Sequence, residues 1–143
     1  MRLIDDRSGL EVLGREECLR LLGAAGVGRV AVVEGGHPMI FPVNYVVDGE
    51  EVLFRTASGT KFDAAARGQV VAFEIDEADP IYHTGWSVVV TGRAEEVTDP
   101  ERRATIDAGR LRPWAEGVKD HVVAVHTERV TGRRIVHVDK NVG

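Results

Sequence analysis

Four blocks between Arg29 and Ile75 constrain the fold most: Arg29 to Val33, Met39 to Val47, Val52 to Thr56 and Val70 to Ile75 are rich in Val, Ile, Phe and Tyr. Composition of this kind between turn residues is the signature of strands. Gly35-Gly36 and Asp48-Gly49 separate the first three blocks, and such pairs supply the positive φ that tight hairpins demand. Parallel neighbours would need a helical crossover between most strands, and too few helical stretches are present. The expected architecture is therefore a small antiparallel barrel with short helices rather than an alternating βαβ sheet.

The flanking segments fit that plan. Arg15 to Ala25 sets Cys18, Leu19 and Leu22 three and four residues apart, the period of an amphipathic helix, with Gly26 and Gly28 ending it. Thr60 to Arg67 reads as a short alanine-rich helix closed by Gly68. A long strand, Trp86 to Val97, is expected after a loop from Asp76 to Thr84, with Gly92 marking a bulge or bend. Asp99-Pro100-Glu101 opens a helix running to about Leu111. Two last strands, His121 to His126 and Arg133 to Val138, are expected to join through Thr131-Gly132. Residues 1–143 read as one domain without repeats.

Composition narrows the partners. With 18 basic and 23 acidic residues the formal charge is -5, the wrong sign for a protein that binds a phosphate backbone, so no nucleic acid is expected. Apolar runs such as Val122 to Val125 are far too short to span a bilayer, and the first residues carry no apolar signal core. Cys18, the single cysteine, has no internal partner and lies in an apolar helical stretch, where a buried structural thiol is expected. A cytoplasmic protein without membrane partners follows. The histidines, His37, His83, His121, His126 and His137, show no metal-binding helical pair and read as structural or surface residues, so no metal ligands are assigned.

One segment carries chemistry. In Val52-Leu53-Phe54-Arg55-Thr56-Ala57-Ser58-Gly59-Thr60-Lys61 a strand runs into hydroxyl residues, a glycine and a lysine at the start of a helix. Hydroxyls and free amides there can hold a phosphate, with Arg55 and Lys61 supplying charge. The alternative is an ordinary strand-to-helix turn in which Ser58 or Thr60 caps the helix and Lys61 is solvated. The spacing is not that of a Walker loop.

Phe54 to Lys61, together with Val71-Ala72-Phe73-Glu74-Ile75-Asp76, Gly85 to Ala94 and Thr131-Gly132-Arg133-Arg134, resembles the pyridoxamine 5′-phosphate oxidase-like family of flavin-binding split barrels. The likeness runs from Gly28 to about Val138 and is greatest for small members described as flavin reductases or nitroimidazole-resistance-like proteins. It implies a mainly β, α+β fold: a six-stranded antiparallel Greek-key split barrel that forms a homodimer, with FMN between the subunits. By that resemblance Arg55, Thr56, Ser58, Thr60 and Lys61 hold the flavin phosphate. Pro42, Val43, Asn44 and Tyr45 lie along the ring edge. Ser87, following Trp86, reaches the cofactor from a neighbouring strand, and Trp114 and Arg134 come from either subunit. FAD, a deazaflavin or haem are the alternative ligands.

The implied activity is an FMN-dependent oxidoreductase acting on a small molecule, with no side chain required as acid or base. A non-catalytic flavin-, deazaflavin- or haem-binding module is the alternative. The arginine-x-histidine segment with which the oxidase grips its phosphorylated substrate has no counterpart in Asp139-Lys140-Asn141-Val142-Gly143, so pyridoxamine 5′-phosphate turnover is not expected.

Overall fold

The computed structural model describes residues 3–4, 10–24, 26–109, 111 and 121–135. In chain order the elements are β1 (Leu3–Ile4), β2 (Glu11–Leu13), α1 (Arg15–Ala24), β3 (Val27–Glu34), β4 (His37–Asp48), β5 (Glu51–Thr56), α2 (Lys61–Ala66), β6 (Val70–Asp79), β7 (Thr84–Glu96), α3 (Pro100–Ala108), β8 (His121–His126) and β9 (Arg129–Arg134). Every strand pairing is antiparallel, and β7, β6, β3, β4, β5 and β8 close a six-membered ring through the β7–β8 contact. No helix among the described residues is long and apolar enough to cross a membrane.

The barrel is split along β7. Trp86 to Thr91 pair with β9, whereas Ala94 to Glu96 pair with β8, so one long strand serves two successive partners on the same edge. Gly92 sits between the two registers, facing the corner where β8 turns into β9. A Cβ placed there would lie 1.7 Å from the His126 carbonyl oxygen, so only glycine lets that corner pass. The glycine foreseen as a bulge or bend is thus a close-approach residue. Beyond β9 the edge continues into β2 and β1.

Strand alternation sends Val30, Val32, Val52, Phe54, Phe73, Ile75, Val88 and Val90 into the barrel, all essentially inaccessible. Cys18, Leu21 and Leu22 of α1 join the same core, and the Tyr45 hydroxyl donates to the Leu22 carbonyl at 2.5 Å. Burial pushes that phenol up to about 12. A second apolar layer lies outside the barrel, where Ile106 of α3 and Leu111 pack on Leu53, Val122 and Ala124. Asp99 caps α3 by accepting from the Arg102 amide, with Pro100 opening the helix.

Three expectations need correction. The last strand begins at Arg129, not Arg133, and the preceding turn is at Thr127 and Glu128 rather than Thr131-Gly132. Gly132 lies inside β9 opposite Leu13 and Val88, where a Cβ would come within 2.6 Å of the Cys18 sulfur, so it serves packing rather than turning. The supposed loop from Asp76 to Thr84 is mostly strand: β6 and β7 pair out to Asp79 and Thr84. Finally, β3 begins at Val27, and the segment ahead of α1 contains β2, whose partner β9 is far away in sequence. Residues 136–138, assigned to the final strand, lie outside the described residues.

Candidate functional site

The loop from β5 to α2 is tied together by Asp63, a buried carboxylate on α2 that is only 2% exposed. It accepts from the Thr56 hydroxyl at 2.5 Å and from Arg67 Nη2 at 3.0 Å. Its own amide donates to Thr60 Oγ1 at 3.0 Å, which makes Thr60 the helix cap, and Thr60 in turn donates to the Ala57 carbonyl at 2.8 Å. His121 at the start of β8 presents Nε2 at 3.8 Å from Asp63 and contacts Glu96 through Nδ1. These partners were invisible as sequence spacing. Asp63 also stood outside the expected site, although an acid three residues after a capping threonine was a usable signal.

Thr56 and Thr60 therefore both donate their hydroxyl protons to acceptors within the chain. Arg55 is turned away from them altogether. Its Nε donates to the Leu111 carbonyl at 2.6 Å and its Nη2 to Asp107 at 2.5 Å, on the outer side of β5. Successive residues of a strand face opposite ways, so adjacency in sequence separates Arg55 from Thr56 in space. Arg55 holds the Asp107 carboxyl below its ordinary range. Ser58 is exposed, Gly59 takes φ of 78°, and Lys61 is the first residue of α2.

Along β4, Val43 and Tyr45 enter the core while Pro42 and Asn44 face outward. Beside Asn44 opens a cleft of about 970 Å³, floored by Val46 and Leu53, walled by the end of α1 and by α3, and closed by Leu111. That volume is at the upper end of the range for small-molecule and cofactor sites. Trp86 turns inward and is half-buried against the core, whereas Ser87 faces outward, paired across the sheet with Asp76 and Arg133. Arg134 is engaged by Glu17 at 2.6 Å and Glu11 at 3.9 Å. Arg20 and Arg134 together hold the Glu17 carboxyl down at about 2. Trp114 lies outside the described residues.

The outer face of β4, β3, β6 and β7 carries a row of small and apolar residues, Ile40, Ala31, Ala72 and Thr91, set side by side by strand register. Ile40 is 70% exposed, and Val33 and Val70 are exposed too. In the adjoining row Arg29 lies 3.4 Å from Glu74 and 3.5 Å from Asp76. Burial, followed by the neighbouring Asp76 carboxylate, raises Glu74 from 4.5 to about 7. The folded chain therefore holds this proton more tightly than the unfolded one. The resulting stabilisation is complete below pH 4.5 and is lost as the pH rises through about 7. Thermal melting against pH is expected to show this decline in the parent and not in Glu74→Gln; parallel curves would contradict it.

A closed antiparallel ring whose long strand β7 changes partners part-way along defines a split barrel. Residues 14–134 match the family model described as pyridoxamine 5′-phosphate oxidase. An uncharacterised protein of Mycobacterium tuberculosis is 46% identical over 129 residues, covering 87% of this chain and 84% of that one. Among solved structures, an FAD-binding protein of Mycobacterium smegmatis is 39% identical with a TM-score of 0.75, covering 87% of this chain and 97% of that chain. An FAD-binding protein of Mesorhizobium loti is 25% identical with a TM-score of 0.70, covering 89% and 99%. The chain belongs to the pyridoxamine 5′-phosphate oxidase-like family.

Proposed function

We propose that the protein is a flavin-dependent oxidoreductase that holds FMN, or the FMN part of FAD, between two copies of the barrel in the cytoplasm. The observation that carries this reading is the large cleft opening beside Asn44 on the outward side of β4, in a fold whose relatives at 39% and 25% identity are FAD-binding proteins. A flavin, when bound, supplies the electron or hydride exchange at its ring.

The chain's own contribution is placement. Pro42 and Asn44 offer the outward edge of β4 to the ring, at the Asn44 end of the cleft. The phosphate end falls to the loop amides from Ala57 to Thr60, to Ser58 and to the Lys61 charge. Thr56, Thr60 and Asp63 fix that loop from within, and Arg55 braces α3 against β5. The uncovered row around Ile40 supports pairing of two copies through this face of the sheet, giving the flavin its second wall.

Replacing Lys61 with methionine tests the phosphate assignment. A charge-assisted contact contributes about 1.5 to 3 kcal/mol, roughly tenfold to more than a hundredfold in affinity. Fluorescence titration should show FMN binding weakened by that factor, with riboflavin, which lacks the phosphate, unchanged. Equal FMN affinities for parent and variant would remove Lys61 from the site.

A further inference from the structure

The cleft beside Asn44 has a floor and a rim of different chemistry. Leu22, Val46, Leu53, Ile106 and Leu111 supply apolar surface, whereas the ionisable groups on its described lining are the carboxylates of Asp48, Asp99 and Glu101 and the guanidinium of Arg102. No lysine or histidine belongs to that described lining. Arg102 is already answered twice, since its Nη2 lies 3.0 Å from Asp48 and 3.1 Å from Glu51. Asp99 accepts a hydrogen bond from the Arg102 amide as a helix cap, which fixes its position, and Glu101 is exposed one residue into the helix. Among the described lining residues the rim is thus net negative around an apolar floor.

The phosphate loop stands at the other end of β5. Asp48 and Glu51 pair at the start of that strand, and Thr56 closes it before the loop from Ala57 to Thr60. An anionic group is therefore provided for at one end of β5 and repelled at the other. We propose that the cleft binds a small planar organic cation, an aromatic ring system bearing one positive charge, as the reactant brought beside the flavin. Its use as a reactant site rests on the flavin reading above; its charge selection does not. The apolar floor takes the ring system, and Asp99 and Glu101, which form no ion pair among the described residues, take the charge.

Equilibrium dialysis of the purified chain, with and without added FMN, against three probes of similar shape reads this directly: N-methylquinolinium as the cation, quinoline at neutral pH as the neutral molecule and quinaldate as the anion. At low salt the cation should bind about fivefold to tenfold more tightly than quinoline, and quinaldate more weakly than both, with added salt narrowing the spread. The double variant Asp99→Asn, Glu101→Gln keeps a capping side chain while removing two charges. It should bring the cation to the level of quinoline and leave quinoline unchanged. Thr105→Trp, which puts bulk into the cleft, should weaken all three probes.

A cation bound no better than quinoline would overturn the proposal, as would a preference that survives in the neutralised variant or a Thr105→Trp chain that binds as the parent does. Failure of the flavin reading is separately visible: FMN would then not bind, while the ranking of probes without FMN would still be read.

Discussion

Gly92→Ala is expected to lower the stability of the barrel by about 3 kcal/mol or more, because the obstacle is backbone and cannot rotate away. The added Cβ would stand 1.7 Å from the His126 carbonyl oxygen and 2.9 Å from its carbon, so either β7 or the β8–β9 corner must move. Moving the corner disturbs the pairing of Ala94 to Glu96 with β8 that closes the ring. Urea denaturation measures the loss, with Arg93→Ala, an exposed neighbour, as the control expected to change stability by less than about 1 kcal/mol. A Gly92→Ala chain as stable as the parent would mean that the strand does not change partners there.

Asp63→Ala is expected to cost about 2 to 3 kcal/mol, since it leaves the Thr56 hydroxyl and the Arg67 guanidinium without the acceptor they share. Asp63→Asn retains an oxygen for Thr56 and should lose less. The two variants also separate local order from global stability. Because Asp63 links the end of β5 to the start of α2, amide exchange from Ala57 to Thr60 should accelerate in both before the rest of the barrel is affected. Unchanged exchange in that loop would show that Thr60 and the strand end hold it without Asp63.

How much of this was legible depended on how strongly each strand advertised its buried face. The ring strands β3 to β6 carry enough Val, Ile and Phe to be read directly, and the hairpin glycines Gly35, Gly36 and Gly49 fall where the turns are. By contrast β9, Arg129 to Arg134, contains a single large apolar residue, Val130, and its place is set by neighbours in β7 and β2. No local pattern reveals that. The same reason hid the Arg29, Glu74 and Asp76 group, which exists only through the register of β3 with β6.

The site was legible as a segment but not as a geometry. Of Ser58 and Thr60, the two residues placed to cap the helix, Thr60 does so. Arg55 and Thr56, neighbours in sequence and assigned to one phosphate site, point to opposite sides of β5, one toward Asp107 and the other toward Asp63. Strand alternation separates neighbouring polar residues just as it separates neighbouring apolar ones. The acidic rim of the cleft lay hidden for another reason: it assembles the β4–β5 turn and the start of α3, distant stretches that the fold brings together.

Sedimentation equilibrium recorded at the flavin's visible absorption band distinguishes the proposed flavin shared by two copies of this chain from one held by a single copy. After loading with FMN or FAD and removal of the excess, the colour should sediment with a species of twice 15.6 kDa, one flavin per chain. Colour sedimenting with a single chain at full occupancy, or protein that carries no flavin at all, would rule out a shared flavin.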